Sequence, residues 1–141
     1  MRVILLLFLL FLPLTVQAEY LGNLSANEFD TNSTANSNGT GNPFAPNSIN
    51  NEFGRYGSSY SNQSATNPYA TDAPRLYDKE GHYRGKLSTN QYDPDSVSNP
   101  YGRYGNPYSP DSLNNPYGAG NPYRSDGPTN PYGSGWRIEG R

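Results

Sequence analysis

The 141-residue chain has no cysteine, one histidine, one methionine and one tryptophan. Without cysteine it cannot form the disulfides with which small exported domains often offset a thin core. Thiolate metal sites and thiol nucleophiles are excluded for the same reason. An excess of either charge is missing too. Beyond residue 18, nine Lys and Arg (ten less Arg2) stand against twelve Asp and Glu. So even a balance leaves no electrostatic footprint for nucleic acid or an anionic membrane. Aliphatic side chains are the scarcest. Leu21, Leu24, Ile49, Leu76, Leu87, Val97, Leu113 and Ile138 are the only Leu, Ile and Val after residue 18. With Phe29, Phe44 and Phe53 they number eleven in 123 residues. That is well under the ~20% below which disorder is expected. Any core is therefore expected to be shallow and aromatic rather than a conventional one.

The one long apolar run, residues 3–12, follows Arg2 and is broken by Pro13. Val16 and Ala18 place small residues at the −3 and −1 positions of a cut between Ala18 and Glu19. This pattern predicts a secretory signal peptide over 1–18. The run is about ten residues long, against roughly 20 needed for a transmembrane helix. No cysteine lies near the cut, so a lipoprotein anchor is excluded. The mature chain is expected to be exported, to periplasm or medium, with no membrane attachment after cleavage.

Turn residues and tyrosine are abundant, with fifteen Gly, thirteen Pro and thirteen Tyr. Asn-Pro-Tyr recurs at 67–69, 99–101, 106–108, 115–117, 121–123 and 130–132, and Asn42-Pro43-Phe44 is a phenylalanine version. Asn at the first position, Pro presetting φ at the second and Gly at the fourth read as a type I turn. The repeats nest. Residues 20–30 match 83–93 at an offset of 63, 46–51 match 110–115 at 64, and 66–69 match 129–132 at 63. Within each half, units of fifteen or sixteen residues recur, as in 94–102 and 110–118. Prolines and glycines exclude helix through these units. The chain is expected to be mainly irregular and β, with short hairpins and turns in a tandem repeat, partly disordered. Its expected parts are a first, degenerate half over 19–69, a linker and hairpin over 70–89, and a second half over 90–135. A tail over 136–141 completes it. The hairpin reads from Asp78-Lys79-Glu80-Gly81, a turn ending in a left-handed glycine, flanked by 75–77 and 82–87. Residues 31–41, all Asn, Ser, Thr, Gly and Ala, predict a flexible loop.

The phrases Tyr-x-Gly-x-Leu-Ser at 83–88 and Pro-Asp-Ser-x-x-Asn-Pro-Tyr-Gly-Arg-Tyr-Gly at 94–105 resemble a known group. It comprises uncharacterised exported bacterial proteins with such tyrosine-rich repeats. The resemblance implies a bacterial origin and a periplasmic or secreted location, and brings no activity with it.

Catalytic chemistry has little to stand on. His82 reads either as a base or ligand, or as a solvated residue of the hairpin. No second His or Cys completes a metal site, and Asp93 and Asp95 lack the spacing of a calcium loop. Mature Ser and Thr sit in turns, where their hydroxyls bond backbone groups. No enzyme activity, cofactor or metal is expected. The tyrosines remain. Tyr69, Tyr101, Tyr104, Tyr108, Tyr117, Tyr123 and Tyr132 are the candidate contact aromatics, suited to stacking on envelope polysaccharide or a protein partner. Arg55, Arg103 and Arg124 lie beside repeat tyrosines and are candidates for stacking on their rings. The competing reading is that the rings pack on one another from unit to unit and hold the repeat together. The sequence thus predicts a structural or adhesive envelope protein, with a binding module as the alternative.

Overall fold

The computed structural model describes residues 18–141. The expected signal peptide, up to its last residue Ala18, lies outside the described residues. Among those described there is no helix, and none long and apolar enough to cross a membrane. Four short strands form one antiparallel sheet: β1 (Glu19–Leu24), β2 (Arg75–Tyr77), β3 (Tyr83–Lys86) and β4 (Trp136–Gly140). The sheet order is β1-β4-β2-β3. β2 and β3 join in a hairpin whose turn is closed by the Gly81 amide on the Asp78 carbonyl at 3.0 Å. Gly81 has φ +86°, the conformation this turn needs and only glycine adopts cheaply.

The sheet repeats itself about its centre. Leu76 faces Ile138 in the middle pair, flanked by Arg75 with Glu139 and Tyr77 with Arg137. Outside it, Tyr20 pairs with Glu139 and Asn23 with Arg137; correspondingly, Tyr83 pairs with Tyr77 and Lys86 with Arg75. Each outer strand also carries a parallel bridge, Asn23 to Ser33 and Lys86 to Ser96. Because of these bridges neither sheet edge is bare, which blunts edge-to-edge pairing.

Between the strands the chain turns continuously. From Asp30 to Gly57, every third amide donates to the carbonyl three residues back, and the same ladder runs from Asn106 to Gly133. No described residue other than glycine has positive φ, which excludes type II geometry at tyrosines in the third turn position. Segments 31–41, expected to be flexible, carry these bonds as well. Ser33 is fully buried and donates to the Ser25 carbonyl at 3.2 Å, and Thr40 N–H bonds the Thr31 carbonyl at 3.0 Å. A loop of small polar residues is ordered here because its backbone is bonded at every turn.

Two further expectations are corrected. The apolar residues, though few, converge on one core rather than a shallow aromatic layer. Leu21, Leu76, Val97 and Ile138 are buried with Tyr56, Ala119 and Trp136, and Leu24, Ile49, Leu87 and Leu113 pack against them. All eight aliphatic residues after position 18 are thereby used. The expected tail is instead strand β4, an inner strand of the sheet, in which Trp136 and Ile138 are fully buried while Arg137 points out. Its partners, β1 and β2, are remote in sequence, so no local signal marks it.

Candidate functional site

The Asn-Pro-Tyr phrase folds as a double turn. In Asn115-Pro116-Tyr117-Gly118, the Asn115 side-chain oxygen accepts the Tyr117 amide at 3.0 Å. Its main-chain carbonyl accepts the Gly118 amide at 3.1 Å. Proline sits between them, at the position whose missing donor is not needed. The other end of the same side chain, Nδ2, donates to the Ser109 carbonyl six residues back at 2.9 Å. Asn51, Asn67, Asn99 and Asn130 repeat both side-chain bonds.

This geometry throws the third residue of each turn outward. In the second half, Tyr92, Tyr108 and Tyr123 form one series of tips, and Tyr101, Tyr117 and Tyr132 another. The corresponding tips of the first half are Phe29, Phe44 and Tyr60, then Asn38, Phe53 and Tyr69. The eleven aromatic tips are between 84% and 95% exposed. The amide of every tip residue donates to an Asn or Ser side chain two residues earlier. Asn50 donates to the Thr34 carbonyl sixteen residues back, and Asn114 donates to the Val97 carbonyl seventeen back. Tyr60 and Tyr69, from the two series of the first half, line one shallow groove with Ser59, Asn67 and Pro68.

Six of the seven candidate contact aromatics, Tyr69, Tyr101, Tyr108, Tyr117, Tyr123 and Tyr132, are tips. Tyr104 is corrected: it is 7% exposed and meets Tyr83 edge-on, with ring centroids 5.4 Å apart. The tyrosine of Gly-Arg-Tyr-Gly turns inward, and Tyr56, in the same phrase, is buried likewise. Arg55 and Arg103 lie over these inward rings at 5.6 and 5.4 Å. Arg124 instead pairs with Asp126 and Asp78. Packing between the tip rings is also corrected as the glue of the fold, since rings so exposed bury almost nothing. Phe29, Phe44, Phe53, Tyr60 and Tyr92 are tips that reading by Asn-Pro-Tyr leaves out. The fuller signal is Asn or Ser, a residue other than glycine, then an aromatic; in Ser134-Gly135-Trp136, with glycine between, the ring is buried.

Inside the turns, small hydroxyls replace apolar filling. Ser33, Ser48, Ser64, Ser96 and Ser112 are buried, and each Oγ accepts an amide two residues on. Ser96 also donates to the Ser88 carbonyl at 3.2 Å. Buried hydroxyls are tolerated when so paired.

Charges gather at the hairpin. Asp78 takes amides from Glu80 and His82 on one oxygen and the Arg84 guanidinium on the other, at 2.9–3.1 Å. Arg84 continues to Asp111, which Arg103 also holds. Burial alone would raise the Asp78 carboxyl; the His82 amide, Arg84 and the Glu80 amide outweigh it and hold the group below its ordinary value. Asp126 is likewise lowered against its burial by Arg124 and the Lys79 amide. Burial and the Glu19 carboxylate, 2.8 Å from its hydroxyl, push Tyr56 up to about 12. His82 is largely exposed, 3.4 Å from Asp78 and 3.6 Å from Glu80. Asp93 accepts Lys86 at 2.9 Å, and Asp95 accepts the Tyr83 hydroxyl at 3.1 Å. Among the described residues, no group of three His, Asp or Glu is placed to hold a metal ion.

Comparison of the chain with protein-family models, curated proteins and solved structures found no match.

Proposed function

We propose that this chain is an exported, non-enzymatic repeat protein of the bacterial envelope that adheres through aromatic rings displayed on rigid turns. The observation that carries this reading is the tip geometry: eleven rings, each beside a hydrogen-bonded Asn or Ser, each almost wholly outside the fold. Rings this exposed are open to a partner rather than used in packing their own fold. The chemistry of the tips favours adhesion over a discriminating pocket. At Asn51, Asn67, Asn99, Asn115 and Asn130 both ends of the amide are already bonded within the chain. What those tips offer a partner is chiefly an aromatic ring, without the convergent polar groups of a specific site. Many weak contacts then add by multivalency.

A tandem duplication underlies the display. Its support is the recurrence of bonds at the sequence offset: Ser33 to Ser25 and Ser96 to Ser88, Thr66 to Gly57 and Thr129 to Gly120, Asn27 to Gly133 and Asn90 to Ala70. The last pair crosses between halves in both directions, as a two-fold arrangement requires. Export is supported by the leader pattern and by Glu19, which after cleavage would open the chain at the start of β1.

The test is retention of residues 19–141 on bacterial envelope material, beside a variant with every aromatic tip changed to Ser. The expected outcome is strong retention of the parent and its loss in the variant. Equal retention of both would dispose of the reading.

A further inference from the structure

We propose that the tyrosine tips are sites of oxidative cross-linking, through which copies of this chain become covalently joined by phenol–phenol bonds. The co-reactant is hydrogen peroxide, acting through a one-electron peroxidase. This rests on the display reading above, because a ring must stand clear of its own fold to meet a ring from another copy.

Two features of the chain direct an oxidant to the tips. Competing acceptors are absent or hidden: there is no cysteine, the only methionine is Met1, and the only tryptophan, Trp136, is fully buried. Cys and Met are the side chains that oxidants ordinarily consume first. The phenols are also sorted. Eight tyrosines are tips. Of the other five, Tyr56 and Tyr104 are buried, Tyr77 and Tyr83 are half-buried, and Tyr20 is 43% exposed, about half the exposure of a tip; the hydroxyls of Tyr20, Tyr56 and Tyr83 are engaged by Asn23, Glu19 and Asp95. The tips are unevenly shared, with six tyrosines in the second half against Tyr60 and Tyr69 in the first, where Phe29, Phe44, Phe53 and Asn38 take the other places.

The reaction balances without a bound cofactor in this chain. Each of two phenols gives up one electron and one proton to the peroxidase. The two phenoxyl radicals join at ring carbons beside the oxygens. The hydrogens on those carbons then move to the oxygens and restore both phenols. The two electrons and two protons reduce one peroxide to two waters.

The experiment treats residues 19–141 with a peroxidase and limiting peroxide, alongside a variant with Tyr→Phe at the eight tips. Phenylalanine already occupies three tips, so the variant is expected to fold. The parent is expected to give dityrosine fluorescence and a ladder of multimers that survives denaturation. Linked peptides should map to tip tyrosines, mostly within residues 92–132, and the Tyr→Phe variant should lose the ladder. Dityrosine is also expected in hydrolysates of the envelope of producing cells. The proposal is overturned if the parent stays monomeric on denaturing gels, if links fall mainly on the five other tyrosines (Tyr20, Tyr56, Tyr77, Tyr83 and Tyr104), or if those hydrolysates hold no dityrosine. The two readings fail separately: cross-linking is read from multimers of the parent under peroxide, and adhesion from retention of the parent on envelope material without it.

Discussion

Asn115, which opens a turn, uses both ends of its amide. Asn115 accepts the Tyr117 amide and donates to the Ser109 carbonyl, at 3.0 and 2.9 Å. An ionised aspartate can only accept, and serine, which opens other turns here, is too short to reach six residues back. Asn115→Ala is therefore expected to cost about 1–3 kcal/mol, since a half-buried carbonyl loses its partner along with the turn bond. Urea unfolding measures this, and a change within about 0.5 kcal/mol, typical of neutral surface sites, would count against the amide as the holding group. Gly85 shows a second local constraint. It has φ +92°, and an added Cβ would lie 2.6 Å from the Asp95 carbonyl and 2.7 Å from Tyr104. Gly22, its counterpart in β1, has φ +99°. The turn chemistry was legible in Asn-Pro-Tyr-Gly because proline's fixed φ and missing donor act locally. The direction of each ring was not. It depends on a three-residue register, visible afterwards in Pro107, Pro110, Pro116, Pro122, Pro128 and Pro131, all spaced by multiples of three. Tyr104 closes a triplet too, yet the one that begins at Gly102 faces inward.

At the scale of elements, the hairpin and β4 contrast. The hairpin could be read from Asp78 and Gly81 because its turn is contiguous. β4 could not, because Trp136 and Ile138 gain their burial from strands far away in the chain. The hairpin also carries the pH response. Asp78 and Asp126 have carboxyls lowered in the folded state from an ordinary 3.8. A lowered carboxyl contributes stability that is complete above its unfolded value and is lost as pH falls through the folded value. Thermal unfolding is therefore expected to hold steady from neutral pH down to about the ordinary 3.8 and to weaken below it, with a shallower acid limb in Asp78→Asn. At the other extreme, Tyr56, raised from 10.0 to about 12, contributes stability present below its unfolded value and lost as pH rises through the folded one. An acid limb unchanged by Asp78→Asn would remove the network from the account.

On the scale of the whole molecule, holding and displaying fall to different residues. Amides, buried serines and one small core with Tyr56 and Trp136 hold the chain, while eleven other aromatic rings, usually the largest apolar contribution to a core, stand outside it. This division explains how a chain so poor in aliphatics folds: its eight aliphatic residues after position 18 are all gathered in or against the one core. The overall class, β and irregular without helix, was legible from proline and glycine density alone. The single core was not, because its members are scattered one or two to a unit and converge only when the turns close. The most direct measurement is urea unfolding of residues 19–141 with Tyr92, Tyr101, Tyr108, Tyr117, Tyr123 and Tyr132 all changed to Ser. Display predicts a cooperative transition like that of the parent, with each site contributing no more than about 0.5 kcal/mol. Loss of the cooperative transition would mean that the rings hold the fold together, and would contradict the account.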